Sequence, residues 1–299
     1  MKVLITGCKG QLGNELRLSC PPSIEAIYTH STELDITNEI TVLSFITDFN
    51  PDVVINAAAY TAVDKAEADK DAAYAVNAAA VGYLAKACKQ NNVRLIQVST
   101  DFVFNGNSVD GMQLTPYLPE DTVNPLSVYG DSKYQGEQLL QQEMSDKADS
   151  FAIVRTSWLY SSQGNNFVKT MLRLMNEKDH LGIVADQYGA PTWAANLASI
   201  CWQLAQRADL NGIFHYSNAT GSDQGISWYD FACGIQVEGI KQGLLNATIP
   251  LNAIITADYP TPAMRPAYSV MNCSKLNQAL NIEPNDWKES LAAMMKQLS

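Results

Sequence analysis

The N-terminal segment is the feature that most restricts how this chain can fold. Lys2-Val3-Leu4-Ile5 is a short apolar run typical of a buried strand, and it leads into Thr6-Gly7-Cys8-Lys9-Gly10-Gln11-Leu12-Gly13. This T-G-x-x-G-x-x-G spacing opens a helix-compatible stretch that ends near Leu18. Glycine permits a tight turn and close backbone approach, and the helix N-terminus offers free N–H groups to a pyrophosphate. The segment therefore predicts a dinucleotide site, or alternatively a glycine turn that only packs the helix on the sheet.

Strands and helices then alternate through the first half of the chain. The predicted strands are Ile24–Tyr28, Val53–Ile55, Val93–Val98 and Phe151–Arg155, and the predicted helices are Ile40–Phe49, Asp64–Gln90 (with a break near Asp69–Asp71) and Tyr129–Glu143. This alternation predicts an α/β fold with parallel βαβ units in a Rossmann-type doubly wound sheet.

The second half of the chain is less regular. The predicted elements there are helices at Asn166–Asn176, Thr192–Ala208, Ser227–Gly239 and Trp287–Leu298 and a strand at Gly212–Tyr216. We expect a dinucleotide-binding domain over residues 1–160. Residues 161–299 are expected to form mainly a smaller, mixed α/β substrate domain, with some later segments returning to the first domain.

Composition and charge exclude several classes of protein. The chain has 299 residues, 46% of them hydrophobic, and 20 basic against 31 acidic side chains give a net charge of −11. A chain of this size can build its core without disulfides or metals. The acidic balance argues against nucleic-acid binding and a polybasic membrane surface, and no apolar run is long enough to span a membrane. Six dispersed cysteines and no recognisable export signal predict a cytoplasmic protein with reduced thiols.

The end of the second predicted strand bears on the choice of dinucleotide. Many NAD sites place a carboxylate there to bind the free ribose 2′-hydroxyl. This chain has Tyr28-Thr29-His30-Ser31 at that place, and the nearest acids are Glu33 and Asp35. Hydroxyl and imidazole groups can accept a 2′-phosphate, so the sequence favours NADPH and leaves NADH possible.

Two further segments predict chemistry on a carbonyl or an alcohol. Tyr129 and Lys133 are four residues apart at the start of a predicted helix and therefore share one face. A neighbouring ammonium is expected to lower the tyrosine pKa from about 10, which would let the phenol exchange a proton near neutral pH. Ser99-Thr100-Asp101 follows the fourth strand, at the edge of the sheet where ligands bind. These side chains can hydrogen-bond a reacting oxygen or simply cap the turn.

Together these segments resemble the extended short-chain dehydrogenase/reductases. The resemblance is carried by the glycine turn, Asn56–Thr61, Ser99–Phe104 and the Tyr129/Lys133 pair. Further segments resemble the dTDP-4-dehydrorhamnose reductase family within that group: Ala62–Glu67, Arg155–Tyr160, Gly164–Phe167, Asp186–Thr192 and Tyr259–Pro266. The resemblance extends from Lys2 to about Trp287, which is nearly the whole chain.

The resemblance implies an oxidoreductase that uses NADPH to reduce the C4 ketone of dTDP-4-dehydro-L-rhamnose. The product, dTDP-L-rhamnose, is a precursor of cell-surface polysaccharide such as O-antigen. Tyr129 would donate the proton, Lys133 would hold the nicotinamide ribose, and Thr100 would hydrogen-bond the ketone oxygen. The other implied cofactor contacts are Gly7, Gly10, Gln11, Leu12, Gly13, Asp35, Ile36, Ala59, Tyr60, Thr61 and Ser99.

The implied sugar-nucleotide contacts are Thr100, Asp101 and Trp158. We add Asn166 and Arg265 as candidates for the phosphates or the sugar. A buried diphosphate needs a cation, and arginine offers a two-pronged donor.

One segment departs from the family pattern, and two other functions remain open. Some family members hold magnesium with glutamates near a subunit contact, whereas Trp193-Ala194-Ala195 contains no carboxylate. We therefore do not expect magnesium-dependent dimerisation, although a homodimer stays possible. A sugar-nucleotide epimerase or dehydratase would retain NAD and return the hydride to the sugar. A non-catalytic regulatory subunit on this fold would tend to lose the tyrosine or the lysine.

Overall fold

The computed structural model describes residues 1–106 and 115–298. The strands are β1 (Lys2–Thr6), β2 (Glu25–Thr29), β3 (Val53–Asn56), β4 (Arg94–Thr100), β5 (Phe151–Thr156), β6 (Leu159–Tyr160), β7 (Leu181–Val184), β8 (Tyr188–Gly189), β9 (Thr192–Trp193), β10 (Gly212–His215), β11 (Ile226–Ser227) and β12 (Leu251–Ile254). The α-helices are α1 (Gln11–Leu18), α2 (Glu39–Phe49), α3 (Val63–Ala66), α4 (Lys70–Tyr74), α5 (Ala80–Asn91), α6 (Val128–Glu143), α7 (Phe167–Glu177), α8 (Ala194–Gln206), α9 (Trp228–Lys241), α10 (Ser274–Leu280) and α11 (Trp287–Met295).

Six parallel strands form the central sheet in the order β10-β5-β4-β3-β1-β2. The chain passes from β1 to β2 on one side and then crosses back to β3 on the other side of β1. In open α/β sheets, ligands bind beyond the carboxyl ends of the strands at such a switch point. The glycine turn follows β1 and therefore lies at this point. The predicted doubly wound sheet is confirmed.

Helices cover both faces of this sheet, which explains why its strands are continuous apolar runs. On one face, α1 and α8 pack over a buried cluster that includes Ile5, Leu16 and Trp202. On the other face, α2, α5 and α6 enclose a cluster that includes Ile46 and Leu84. Each strand sends alternate side chains to the two clusters because successive side chains point to opposite faces.

A row of buried polar side chains crosses the carboxyl end of the sheet. Thr6 Oγ1 donates to Asn56 Oδ1 at 2.5 Å, and Asn56 Nδ2 donates to Gln97 Oε1 at 2.7 Å. These residues come from three adjacent strands, β1, β3 and β4. Their mutual hydrogen bonds satisfy polar groups that would be costly to bury alone.

The second half of the chain builds a smaller, mixed part and also completes the large sheet. Helices α7, α9 and α11 contribute to a third apolar cluster, beside the two-stranded pairs β7/β12, β6/β9 and β8/β11. By contrast, β10 pairs with β5, and α8 shares the cluster of α1. Strand β10 and helix α8 thus pack with elements of the first half, while the predicted division into domains near residue 160 stays a prediction. Helix α10 and the two-residue strands were not predicted, because they are too short to show periodicity.

Three global properties bear on function. Among the described residues, no helix has the length and hydropathy needed to cross a membrane. No group of three or more His, Cys, Asp or Glu side chains in the same residues could hold a metal ion. All six cysteines are free.

Candidate active site

The glycine turn is shaped by contacts that exclude side chains. Gly7 has a φ of 70°, and a Cβ added there would lie 2.6 Å from Ala58 Cα. A Cβ added to Gly13 would lie 2.3 Å from the Gly7 carbonyl oxygen. Gly10 occupies the N-cap position of α1 and provides no side-chain cap for the N–H groups of the first helical turn. The turn therefore has the close backbone and the available N–H groups that a dinucleotide pyrophosphate requires.

The acids after β2 are engaged within their own turn. Asp35 Oδ1 accepts from Thr37 N at 3.0 Å and from Thr37 Oγ1 at 2.7 Å, and these bonds lower the pKa of Asp35. Glu33 Oε2 accepts from the His30 backbone N–H at 3.0 Å. Both carboxylates thus stabilise the turn that follows β2. Contact of Asp35 and Ile36 with an adenine stays a prediction.

A buried asparagine fixes the turn that follows β3. Asn77 lies in a π-helical turn, Ala75–Ala79; its Oδ1 accepts from Tyr60 N at 2.8 Å, and its Nδ2 donates to Tyr60 O at 3.0 Å. The same Nδ2 donates to Ser132 Oγ in α6 at 3.1 Å. Asn77 therefore connects the predicted cofactor segment at Tyr60 with the helix that carries Tyr129. Sequence reasoning missed it, and the only signal was a lone polar residue in an alanine-rich helix.

Tyr129 and Lys133 lie in the first two turns of α6, against the end of β4. Lys133 Nζ donates to the Val98 carbonyl at 2.6 Å. The Tyr129 ring packs edge-to-face on Phe102 with ring centroids 5.6 Å apart. A Cβ added to Gly130 would lie 2.2 Å from the Phe102 carbonyl oxygen, so this glycine lets the helix pack directly on the turn after β4. The structure thus brings Tyr129, Lys133 and the Ser99–Asp101 segment together, as predicted.

The expected effect of Lys133 on the Tyr129 pKa was wrong. Burial raises the pKa of Tyr129 to about 12, while a hydrogen bond with Thr100 lowers it and the nearby Asp101 carboxylate raises it. Burial also lowers the pKa of Lys133 to about 8, although Glu137 acts in the opposite direction. Burial sets the direction of the Tyr129 shift, and Lys133 directs its Nζ to the Val98 carbonyl. The phenol therefore stays protonated at neutral pH, which suits a proton donor.

Three polar side chains, those of Ser99, Thr100 and Asp101, lie at the end of β4. Thr100 Oγ1 caps the following turn by accepting from Phe102 N, and it donates to Asp101 Oδ1, both at 3.2 Å. Ser99 Oγ is buried and has no hydrogen-bond partner within residues 1–106 and 115–298. Burial raises the pKa of Asp101 to about 6, although hydrogen bonds with Ser269 and Thr100 act in the opposite direction. Turn capping explains Thr100 in part, and it leaves the buried Ser99 hydroxyl for a ligand.

An open cleft of about 230 Å³ lies beside Phe102, the neighbour of Tyr129. Its lining residues are Phe102, Trp158, Gln187, Trp228, Arg265, Pro266 and Ser269. Trp158 and Arg265 were predicted as substrate contacts, whereas Trp228 was not, because no local pattern marks it.

The indole of Trp158 is held in an unusual conformation in this cleft. It stacks on Trp228 with ring centroids 3.5 Å apart and an interplanar angle of 8°. Trp158 has a φ of 46°, which is rare for a bulky residue. A Cβ on Gly189 would lie 2.6 Å from Trp158 Cε2, so glycine at that position leaves room for the indole.

The two candidates for the substrate phosphates or the sugar have different surroundings. Asn166 caps α7 by accepting from Lys169 N at 3.1 Å, and its Nδ2 donates to Gln11 Oε1 at 3.0 Å and to Ser161 O at 2.6 Å. Arg265 lines the cleft near Trp158. Asn166 is therefore a helix cap that contacts the glycine turn, and its contact with the substrate stays a prediction.

Comparison with known proteins gives similarity along the full length. Residues 1–299 match the family model described as the RmlD substrate binding domain. The chain is 44% identical to the dTDP-4-dehydrorhamnose reductase of Aggregatibacter actinomycetemcomitans over 297 residues, 97% of each protein. It is 39% identical to the protein of that name from Escherichia coli K12, covering 100% of this chain and 98% of the relative. A crystal structure of dTDP-4-dehydrorhamnose reductase from Bacillus anthracis Ames in complex with NADP has a TM-score of 0.89 and 34% identity, covering 99% of each chain.

Proposed function

The chain belongs to the RmlD substrate binding domain family, and from this premise we propose that it is an NADPH-dependent dTDP-4-dehydrorhamnose reductase. It reduces the C4 ketone of dTDP-4-dehydro-L-rhamnose to give dTDP-L-rhamnose. The proposal is carried by full-length relatives of that name. This chain also places a half-buried Tyr129 and a buried Lys133 near an open cleft. The relative in complex with NADP supports NADPH as the reductant.

The reaction needs a proton donor beside the ketone oxygen, and Tyr129 fills that role. When bound, the reduced nicotinamide supplies the hydride. The pKa of about 12 keeps the phenol protonated at neutral pH. An alkoxide is a much stronger base than a phenolate, so the proton passes from Tyr129 to the new alkoxide although the phenol is not tuned to pH 7.

Thr100 and Lys133 support the charge that develops on the ketone oxygen. The Thr100 hydroxyl, which donates to Asp101 Oδ1 in this structure, can turn its proton toward a ketone oxygen. Lys133, with a pKa of about 8, is mostly protonated at neutral pH and keeps a positive charge in a buried site. Fixed donors and charges act strongly where water is excluded.

The other assignments follow the layout of the site. The residues proposed to hold the cofactor are Gly7, Gly10, Gln11, Leu12, Gly13, Asp35, Ile36, Ala59, Tyr60, Thr61, Ser99, Tyr129 and Lys133. Thr100, Asp101, Trp158 and Asn166 would contact the sugar nucleotide, and Arg265 would bind its diphosphate. We also propose a cytoplasmic location, with which the six free cysteines are compatible. A homodimer stays a prediction.

A coupled assay tests this function. dTDP-4-keto-6-deoxyglucose is supplied with the upstream epimerase, and oxidation of NADPH is followed together with the appearance of dTDP-L-rhamnose. We expect one NADPH to be consumed for each product formed. In a control without the added epimerase, a changed sugar with no net oxidation of NADPH would instead indicate an epimerase or dehydratase. In the complete mixture, no conversion beyond that of the added epimerase would indicate a non-catalytic subunit.

A further inference from the structure

An ion pair joins the two halves of the chain at the rim of the cleft. Arg265 Nη2 donates to Asp64 Oδ2 at 2.7 Å, and Arg265 Nη1 donates to Asp64 Oδ1 at 3.0 Å. Asp64 belongs to α3, close to the cofactor segment, and it is 201 positions from Arg265 in sequence. Two parallel N–H···O bonds of this kind fix the plane of a guanidinium as well as its position.

Asp64 also holds the loop that carries Arg265. Its Oδ1 accepts from Ala263 N at 3.2 Å. Arg265 Nη1 in turn donates to Thr261 Oγ1 at 2.5 Å and to Ala263 O at 3.1 Å. The guanidinium is therefore bound to α3 and to the backbone of its own loop at once.

The far end of the same loop is fixed by backbone contacts. Tyr188 N donates to Ala267 O at 2.8 Å. Gly106 has a φ of 76°, and a Cβ added there would lie 2.7 Å from Pro266 Cβ. This end of the loop is held by backbone packing. At the other end, a single side chain, that of Asp64, holds the loop, so one substitution can release it.

We propose that Asp64 is a positioning residue for sugar-nucleotide binding, which holds the Arg265 guanidinium on the wall of the cleft in a fixed orientation. The proposal rests on the proposed function, because it takes the diphosphate of the substrate as the ligand of Arg265. A free arginine side chain loses rotamer entropy when it is immobilised. Asp64 imposes that loss before the substrate arrives.

The Arg265 hydrogen bonds leave donors for a phosphate. Nη1 is engaged with three oxygens of Asp64, Thr261 and Ala263, and Nη2 is engaged with one oxygen of Asp64. Nε–H and the second Nη2 hydrogen have no acceptor in the part of the chain that the structure describes. The same contacts that orient the guanidinium thus spare two of its five N–H groups.

The negative charge of Asp64 and its positioning role have opposite effects on substrate binding. The direction in which the substrate KM changes in a variant therefore shows which of the two dominates. A carboxylate near an anionic diphosphate weakens binding, so removal of its charge alone would lower the substrate KM. The Asp64 side chain is 42% exposed and already paired with Arg265, so water and the guanidinium screen its charge. We therefore expect the loss of orientation to outweigh the loss of repulsion.

Asp64→Asn is the central variant, because asparagine keeps an oxygen for Ala263 N but cannot accept both guanidinium bonds. We expect the KM for the sugar nucleotide to rise roughly 3- to 10-fold, with kcat and the KM for NADPH within twofold. Arg265→Ala should raise the substrate KM roughly 10- to 150-fold, and Arg265→Lys should recover part of that loss. The double variant should be no worse than Arg265→Ala alone, because Asp64 acts through Arg265.

Glu177→Gln is the matched control, since it breaks a 2.7 Å ion pair with Arg173 on the exposed surface of α7. It should leave every constant unchanged. An Asp64→Asn enzyme with an unchanged or lower substrate KM would overturn the proposal, as would additive effects in the double variant.

Calorimetric titration with dTDP separates this proposal from the proposed function. If the wild type binds dTDP more tightly than Asp64→Asn, and Asp64→Asn more tightly than Arg265→Ala, but none of them reduces a keto sugar, the positioning role would be supported and the function rejected. If the wild-type protein reduces the keto sugar but Asp64→Asn does not change dTDP affinity, the function would be supported and the positioning role rejected. A wild-type protein that does not bind dTDP would overturn both.

Discussion

The glycine turn and the cleft beside Phe102 lie at the same end of the sheet but are built in different ways. The turn comes from one contiguous segment, Gly7–Gly13, and its shape depends on backbone atoms too close together to admit a Cβ. The cleft combines side chains from distant segments, among them Trp158, Trp228 and Arg265, and its shape depends on stacking and on an ion pair. The first site therefore depends on close backbone packing, both within the turn and against Ala58, and the second depends on long-range side-chain contacts.

The largest effect is expected at the residue that lies between the two sites. Tyr129→Phe removes the phenolic hydroxyl, including its hydrogen bond with Thr100, and keeps the ring contact with Phe102. kcat should fall roughly 10²- to 10⁴-fold, the usual contribution of a general acid. Both KM values should stay within a few fold, and the melting temperature should change little. Retention of more than about a tenth of wild-type turnover would assign the proton to another group.

Gly13→Ala tests the cofactor end of the comparison. The added Cβ would meet the Gly7 carbonyl oxygen at 2.3 Å and Cys8 Cα at 2.5 Å, so the backbone must shift. Overpacking of this kind costs about 1–3 kcal/mol. Fluorescence titration should show NADPH affinity at least about tenfold lower, with dTDP affinity unchanged.

Gly82→Ala is the control for that variant. It lies inside α5 with its nearest neighbouring atom at 3.5 Å, and it should be neutral or slightly stabilising. If Gly13→Ala lowered the affinities for NADPH and dTDP equally, the two sites would not be separate.

Asp101→Asn tests the substrate end through pH. Burial raises the pKa of Asp101 from 3.8 to about 6, so between about pH 4 and 6 the folded protein keeps a proton that the unfolded chain has released. Wild-type stability should therefore fall as pH rises through this window. Asparagine has no such titration, so the variant should gain on the order of 2–3 kcal/mol relative to wild type between pH 4 and pH 7. Urea unfolding at several pH values measures this gain, and a pH-independent difference would refute it.

The smallest effect is expected in the choice of reductant. Glu33 and Asp35 stabilise their own turn after β2, so no carboxylate is committed to repelling a 2′-phosphate. NADPH should serve at least as well as NADH when kcat/KM is measured for both. A tenfold preference for NADH would mean that one of these acids binds the ribose.

The contrast between the two sites also explains which features could be predicted from the sequence and which could not. The strand before Gly7, the turn and the Tyr129/Lys133 spacing are local patterns, and the structure places them as expected. The stacking of Trp228 and the attachment of Asn77 to Tyr60 depend on contacts between distant segments. Such contacts leave no periodic signal in a single sequence.

Burial and capping are equally hard to read from the sequence. The pKa of Tyr129 was misjudged because helical spacing gives its neighbours but not its burial. The position of Asn166 as the N-cap of α7, in contact with Gln11, likewise becomes evident only in three dimensions.

The way in which the large sheet is completed has a consequence for biosynthesis. Strand β5 gains its outer neighbour only when β10 (Gly212–His215) has been made, and α1 is covered only when α8 has been made. A ribosome that has released only the first 160 residues therefore presents an open strand edge and an uncovered apolar face, both of which favour aggregation. We expect that a chaperone protects this intermediate, and that a gene truncated after codon 160 yields inclusion bodies rather than a separate nucleotide-binding module.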